Sequence, residues 1–234
     1  MNNNRGLTLT ELLIAGMLVG IAVLGMVGID QSIRRSHEGS RMRMDNVARL
    51  AAGLKQLSGD LRNAQGSGIR EFVTGEIFTI DAGMSAQSDA LLYYPYSSTA
   101  MTINVTSGGT AKGYSLNTVF IIRQEQRDPT GAVTGDINDP ADDQYVMYGI
   151  AAGSNQLQRW VFLPAAFAER TSDPRDIAAL SDPDIFTVHT SGTGELDFVE
   201  FNLTTRPDLS EPFDPIINPE YSLTTSVNPP GISR

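Results

Sequence analysis

The sequence predicts an α+β protein in which a long N-terminal α-helix packs on an antiparallel β-sheet head. Two patterns carry this prediction. Residues 7–65 contain no proline and show first a continuous apolar run and then a helical apolar stripe. From residue 71 onward, short apolar segments alternate with clusters of Gly, Ser, Asn, Asp and Pro, as in antiparallel sheets. The 234 residues suffice for one domain of ordinary size with an appendage.

The first half of the helix is predicted to cross a membrane. Residues 12–29 carry no charge, and with Leu7 and Leu9 the apolar stretch of 7–29 can cover a hydrocarbon core of about 30 Å. A cleaved secretory signal peptide is the alternative, but no small-residue cleavage site closes the run. Glu11 lies inside the stretch 7–29, and an ionisable residue inside an apolar span costs roughly 2.5–3.5 kcal/mol, which indicates a partner and a purpose for this carboxylate.

The second half, residues 30–65, is predicted to be an amphipathic stalk. Its apolar stripe consists of Val47, Leu50, Leu54, Leu57, Leu61 and Ala64, at steps of three and four. Gly66 and Gly68 then provide a stop. A parallel coiled coil is the alternative, but the stripe covers fewer than three heptads. We therefore expect the stripe to pack on the protein's own head.

The head is predicted to span residues 66–205 as an antiparallel sheet or two sheets. The expected strands are 75–80, 90–96, 101–106, 115–123, 144–151, 156–163, 185–189 and 195–204. Residues 152–155, Ala-Gly-Ser-Asn, have the composition of a hairpin turn. The last strand alternates clearly, with a slip expected at Val199. The tail, 206–234, contains six prolines, so we expect an extended or free segment with little ladder pairing.

Charge and composition exclude several functions. The net charge of −10 is unevenly distributed along the chain. The stalk region (30–70) carries a net charge of +4, and the head and tail (71–234) carry −14. This acidity argues against nucleic acid as a partner, because binding phosphates requires cations. The absence of cysteine excludes disulfides and thiolate chemistry. The two histidines, His37 and His189, stand in no triad motif, and His189 is expected at an exposed strand position, so we expect no catalytic residue and no enzyme.

An acidic stretch in the head is a weak calcium candidate. Calcium takes six to eight oxygen ligands, and such ligands occur at short intervals here. The residues are Asp136, Asn138, Asp139, Asp142 and Asp143. Their spacing misses the EF-hand pattern, which favours a solvated loop as the alternative interpretation. No other cofactor is expected.

The N-terminus carries a resemblance to a known family. The segment Gly6-Leu7-Thr8-Leu9-Thr10-Glu11-Leu12 resembles the prepilin cleavage and methylation motif of type IV pilins and type II secretion pseudopilins. The resemblance implies a leader of residues 1–6, cleavage by prepilin peptidase between Gly6 and Leu7, and N-methylation of Leu7. The sequence departs from the motif in having Leu7 where Phe is usual and Thr10 where an aliphatic residue is commoner.

The resemblance also implies partners and a location. In this family Glu11 would guide filament assembly by pairing with the amine of Leu7 in the same or a neighbouring subunit. Further partners would be other pilin subunits, the assembly platform and the bacterial inner membrane, with the head outside the cytoplasm. Segments at 88–91, 145–148 and 196–203 are similar to W-type minor pilins and J-type pseudopilins. The expected function is a minor pilin of a type IV pilus, with a J-type pseudopilin or a membrane-tethered ligand- or ion-binding module as alternatives.

The charges flanking the apolar run predict the opposite orientation. Only Arg5 precedes the run, whereas four arginines follow it within residues 34–43. The positive-inside rule alone would place the head in the cytoplasm. We favour the orientation that the resemblance implies, because a prepilin motif must be presented to its peptidase.

Overall fold

The computed structural model describes residues 9–64, 78–80, 85–87, 91–107, 110–124, 132, 143–162, 174–192, 196–215 and 218–228. Its contacts divide the chain into two compact units, residues 1–44 and 45–234. The predicted processing residues Gly6 and Leu7 and the predicted helix stop at Gly66 and Gly68 lie outside the described residues.

One long helix and eleven strands make up the described structure. The helix α1 spans Leu9–Arg62. The strands are β1 Phe78–Ile80, β2 Ser85–Gln87, β3 Leu91–Tyr94, β4 Met101–Ser107, β5 Thr110–Gln124, β6 Gln144–Ala151, β7 Gln156–Phe162, β8 Arg175–Ala179, β9 Phe186–Thr190, β10 Leu196–Thr205 and β11 Tyr221–Val227. This is the predicted α+β class, and β6 has the predicted bounds.

All strand pairs are antiparallel and form two sheets in the second unit. The larger sheet has eight strands in the order β1-β4-β5-β6-β7-β8, with β3 also paired to β5 and β2 to β3. The smaller sheet has the order β11-β10-β9. The predicted hairpin between β6 and β7 is confirmed, and Gly153 makes its turn with a φ of 75°, a conformation that favours glycine.

The predicted helical stripe packs on both sheets of the second unit. Leu50, Leu54, Leu57, Leu61 and Ala64 are buried in one core. That core also contains large-sheet residues from β3, β5, β6, β7 and β8 and small-sheet residues from β9, β10 and β11. The stripe is thus covered by the protein's own head, as expected, and Val47 at its start is half-buried.

A second core lies on the opposite face of the large sheet. It contains Trp160, Tyr145 and Met147, and Tyr114 packs its ring edge-on against Trp160 at a centroid distance of 5.5 Å. Residues on both faces of β6 are therefore buried, which explains why this strand reads as a nearly continuous apolar run.

Three strands of the structure, β2, β8 and β11, are not predicted from the sequence. The expectation of little ladder pairing in the proline-rich tail is wrong for β11, which pairs with β10 over seven residues. This strand lies between Pro219 and Pro229, and the intervening residues keep all their backbone donors. The expected slip in β10 lies earlier than predicted, between Leu196 and Phe198, and Val199 is buried in the core.

Candidate functional site

The first unit presents an apolar helix surface. Between Leu9 and Ile29 every side chain of α1 is exposed, with Leu9 83% and Leu24 74% accessible. None of the most apolar 18-residue window of this helix is buried within the structure. Apolar surface of this extent is unfavourable in water. By length and composition, this helix can cross a membrane.

Glu11 lies in the first turn of this helix and is exposed. A carboxylate near a helix N-terminus interacts favourably with the positive end of the helix dipole. The structure thus places the predicted assembly residue at the beginning of the apolar surface. Its expected partner, the amine of Leu7, lies outside the described residues.

Four glycines lie in the apolar part of the helix, at Gly16, Gly20, Gly25 and Gly28. A Cβ atom added at any of them would meet no other atom within 4 Å. No contact described within this chain therefore requires glycine at these positions. Small residues on a membrane helix allow a neighbouring helix to approach closely, so these sites are suited to intermolecular packing.

Asp60 is the centre of a polar cluster in the second unit that fastens α1 to the large sheet. Its Oδ2 accepts hydrogen bonds from the Tyr148 hydroxyl at 2.6 Å and from Arg159 Nε at 2.8 Å. Its backbone carbonyl accepts a hydrogen bond from Gln124 Nε2 at 2.6 Å, and Gln144 Nε2 donates to Gln124 Oε1 at 2.9 Å. The cluster thereby joins the last turn of α1 to β5, β6 and β7.

Burial and the neighbouring carboxylate control the ionisation of Tyr148. Burial raises the pKa of the Tyr148 hydroxyl far above its ordinary value, and the charge of Asp60 and the hydrogen bond to it raise this pKa further. The Arg159 guanidinium, which lies 5.9 Å from the centre of the Tyr148 ring, opposes this effect. Tyr148 is therefore a protonated donor to Asp60 at neutral pH.

The calcium candidates divide between described and undescribed residues. Asp143 is buried and forms an ion pair with Arg123, which links the residue before β6 to the end of β5. The other four, Asp136, Asn138, Asp139 and Asp142, lie outside the described residues. Within the described ranges, no group of three or more His, Asp or Glu side chains is placed to hold a metal ion.

His189 lies on β9 as predicted, but its side chain is only partly exposed. Its ring stacks on Phe198 with centroids 4.2 Å apart, and its Nε2 lies 3.4 Å from a carboxylate oxygen of Glu200. These are packing contacts across the β9–β10 pair. They bring together no nucleophile and base among the described residues that would suggest catalysis.

Comparisons of the chain with protein families, with curated proteins and with solved structures found no match. The functional argument therefore rests on the chain's own residues.

Proposed function

We propose that this protein is a structural subunit of a pilus-like filament, a minor pilin of a type IV pilus that is cut between Gly6 and Leu7. The observation that carries the proposal is the order of two features. The Gly6–Glu11 motif leads into a helix that begins at Leu9 and whose apolar side chains are exposed as far as Ile29. A lipid bilayer can cover this surface before assembly, and neighbouring helices can cover it afterwards.

Glu11 has a specific role in this proposal. Cleavage after Gly6 would leave a positively charged amine on Leu7, two residues before the described apolar helix begins. A buried charge is costly alone and less costly when paired, so Glu11 of the same or a neighbouring subunit compensates the amine. An incoming subunit is then favoured at the axial position where amine and carboxylate meet.

The anchorage of α1 in the head also supports a filament subunit. A subunit that is pulled from a membrane by one end must transmit load between its helix and its head. In the second unit the leucine stripe and the Asp60 cluster attach residues 50–64 of α1 to the sheets by apolar and polar contacts together. The head itself, acidic and without cysteine, would face the exterior of the filament.

Processing is the first test of the proposal. The full chain is expressed with a prepilin peptidase, and its N-terminus is determined by mass spectrometry. We expect loss of the six leader residues and a methylated Leu7, and we expect Gly6→Ala to retain the leader. Gly16→Ala is the matched control, since a Cβ there meets nothing within 4 Å, and it should be processed normally. Normal processing of Gly6→Ala would contradict the proposal.

Assembly is the second test. Glu11→Ala should be inserted into the membrane and processed, yet be absent from sheared filaments. Glu38→Ala, which removes an acid outside the apolar run, is the control and should be incorporated. Incorporation of Glu11→Ala at the level of the unmodified chain would remove the pairing role.

Two further candidates share part of these features. A J-type pseudopilin would be processed in the same way, but its deletion would abolish secretion of exoproteins and leave surface pili intact. A membrane-tethered ligand- or ion-binding module would keep residues 1–6 when the peptidase is present. The calcium candidates are relevant to the ion-binding module. If the melting temperature of the protein is the same in calcium and in chelator, the calcium hypothesis is wrong.

A further inference from the structure

The strand β8 is an edge of the large sheet. It pairs with β7 on one side, and the structure describes no strand on its other side. The edge of a sheet presents unpaired backbone N–H and C=O groups that can pair with another chain. At its end, the carbonyl of Ala179 accepts a hydrogen bond from Thr205 Oγ1 at 2.7 Å, so the open part of the edge is 175–178.

A groove of about 230 Å³ follows this edge. One wall is formed by all five residues of β8, and the other is formed by Arg49, Ala52, Gly53 and Gln56 of α1. Successive side chains of a strand point to opposite faces, so a groove that touches five consecutive residues must run along the strand and its backbone. The helix residues at steps of three, one and three form one face of α1. The groove therefore has the shape to accept an extended chain.

The polar groups of the groove are incompletely satisfied. Arg49 and Arg175 are exposed, and no hydrogen bond or ion pair joins either guanidinium to another described residue. Gln156 Oε1 is buried and accepts no hydrogen bond in the described structure. The carboxylate of Asp176, by contrast, already accepts a hydrogen bond from Gln158 Nε2 at 2.9 Å. The groove thus offers two cations, the Asp176 carboxylate and one unsatisfied acceptor to a ligand, with a formal net charge of +1.

We propose that this groove binds an extended acidic segment of a partner protein, which adds to β8 as a further strand. Backbone pairing along 175–178 would supply affinity, and carboxylates of the segment would pair with Arg49 and Arg175. A side-chain donor of the segment, such as a threonine hydroxyl, would satisfy Gln156 Oε1, because Gln156 lies on β7 and the backbone N–H groups of the added strand point along the sheet at β8. The irregularity in the β7–β8 register and the charges on β8 disfavour indiscriminate pairing of edges. This proposal concerns the second unit and does not depend on filament assembly.

Peptide binding to the full chain in detergent tests the proposal. The probe is a fluorescent eight-residue peptide in which glutamate alternates with valine and threonine, and binding is measured by fluorescence polarisation at low salt. We expect saturable binding. A peptide with lysine in place of glutamate should bind at least about tenfold more weakly, because it is repelled by both arginines. A peptide N-methylated at every backbone nitrogen, with unchanged charge, should lose binding because neither of its edges can then donate hydrogen bonds to a strand.

Protein variants locate the site. Arg49→Gln and Arg175→Gln should each weaken binding of the glutamate peptide about two- to fivefold, as expected for solvent-accessible ion pairs. Lys55→Gln is the matched control, an exposed cation on α1 that does not line the groove, and it should bind as the unmodified chain does. Equal binding of the N-methylated peptide, or no binding at millimolar concentration, would overturn the proposal. A further result would also overturn it: the unmodified chain self-associates, the double variant Arg49→Gln/Arg175→Gln does not, and no peptide binds. That result would identify a second copy of this chain as the occupant.

Discussion

The two halves of α1 use the same residue type in opposite ways. In the first unit the leucines and isoleucines point in all directions from the helix and are exposed. In the second unit the leucines occupy one face and are buried under the sheets, while the charged residues other than Asp60 occupy the exposed faces. An all-round apolar helix requires an apolar environment, whereas a striped helix requires one covered face. Periodicity, more than hydrophobic content, therefore separates the exposed apolar half of α1 from the half that packs on the head.

Replacing Leu57 is expected to give the largest loss of stability among the variants that test this contrast. Leu57→Ala removes a fully buried side chain from the core between α1 and the sheets, so it should lower the free energy of unfolding of the head by about 2–5 kcal/mol. Leu18→Ala is the matched control, because Leu18 is 62% exposed in the first unit. Urea unfolding in detergent can be followed by the fluorescence of Trp160, which is buried in the head and is the sole tryptophan of the sequence. Equal losses in both variants would contradict the contrast.

The next largest loss of stability is expected when Asp60 is replaced, and Asp30 on the same helix provides the comparison. Asp60→Ala removes the carboxylate that accepts hydrogen bonds from the buried Tyr148 hydroxyl and from the Arg159 guanidinium. It should lower the free energy of unfolding by about 2–3 kcal/mol. Asp30 pairs with Arg34 at 2.9 Å, but both side chains are largely exposed, so Asp30→Ala should cost no more than about 0.5 kcal/mol. The same unfolding experiment measures both. A loss for Asp60→Ala as small as that for Asp30→Ala would show that the cluster does not fasten the helix.

The sequence predicted the elements whose signals are local. The stripe on α1 follows from its three-and-four spacing, and β6 and β7 follow from alternation around a Gly-containing turn. The Asp60 cluster joins residues 88 and 99 positions apart, and no local period encodes such a pair. The strand β8 carries Arg175 and Asp176 and so lacks alternation; its pairing with β7 makes it a strand. At the N-terminus the motif is local, which is why the proposed processing site could be named from the sequence alone.

Two glycines in the head half of α1 are expected to respond in opposite directions. A Cβ at Gly53 would lie 2.6 Å from Ile177 Cγ2, so Gly53→Ala must displace the Ile177 side chain or its strand and should cost about 1–3 kcal/mol. A Cβ at Gly59 meets nothing within 4 Å, so Gly59→Ala should stabilise the helix by about 0.5–1 kcal/mol. Adding Ile177→Ala should recover much of the Gly53→Ala loss. A loss that persists would mean that the close approach of β8 is not its cause.

The smallest expected effect is a change in the pH dependence of stability, and it tests the role of the Tyr148 hydroxyl. The pKa of its hydroxyl is raised in the folded protein above the ordinary value of 10.0, first by burial and then by Asp60. An acid with a raised folded pKa contributes stability below its unfolded pKa and loses it as pH rises beyond that value. The urea midpoint should therefore fall above pH 10 more steeply in the unmodified chain than in Tyr148→Phe, which has no hydroxyl to ionise. Tyr96→Phe is the control, since Tyr96 is exposed and should leave the steep fall unchanged. If Tyr148→Phe kept the full alkaline loss, the hydrogen bond from Tyr148 to Asp60 would not be its source.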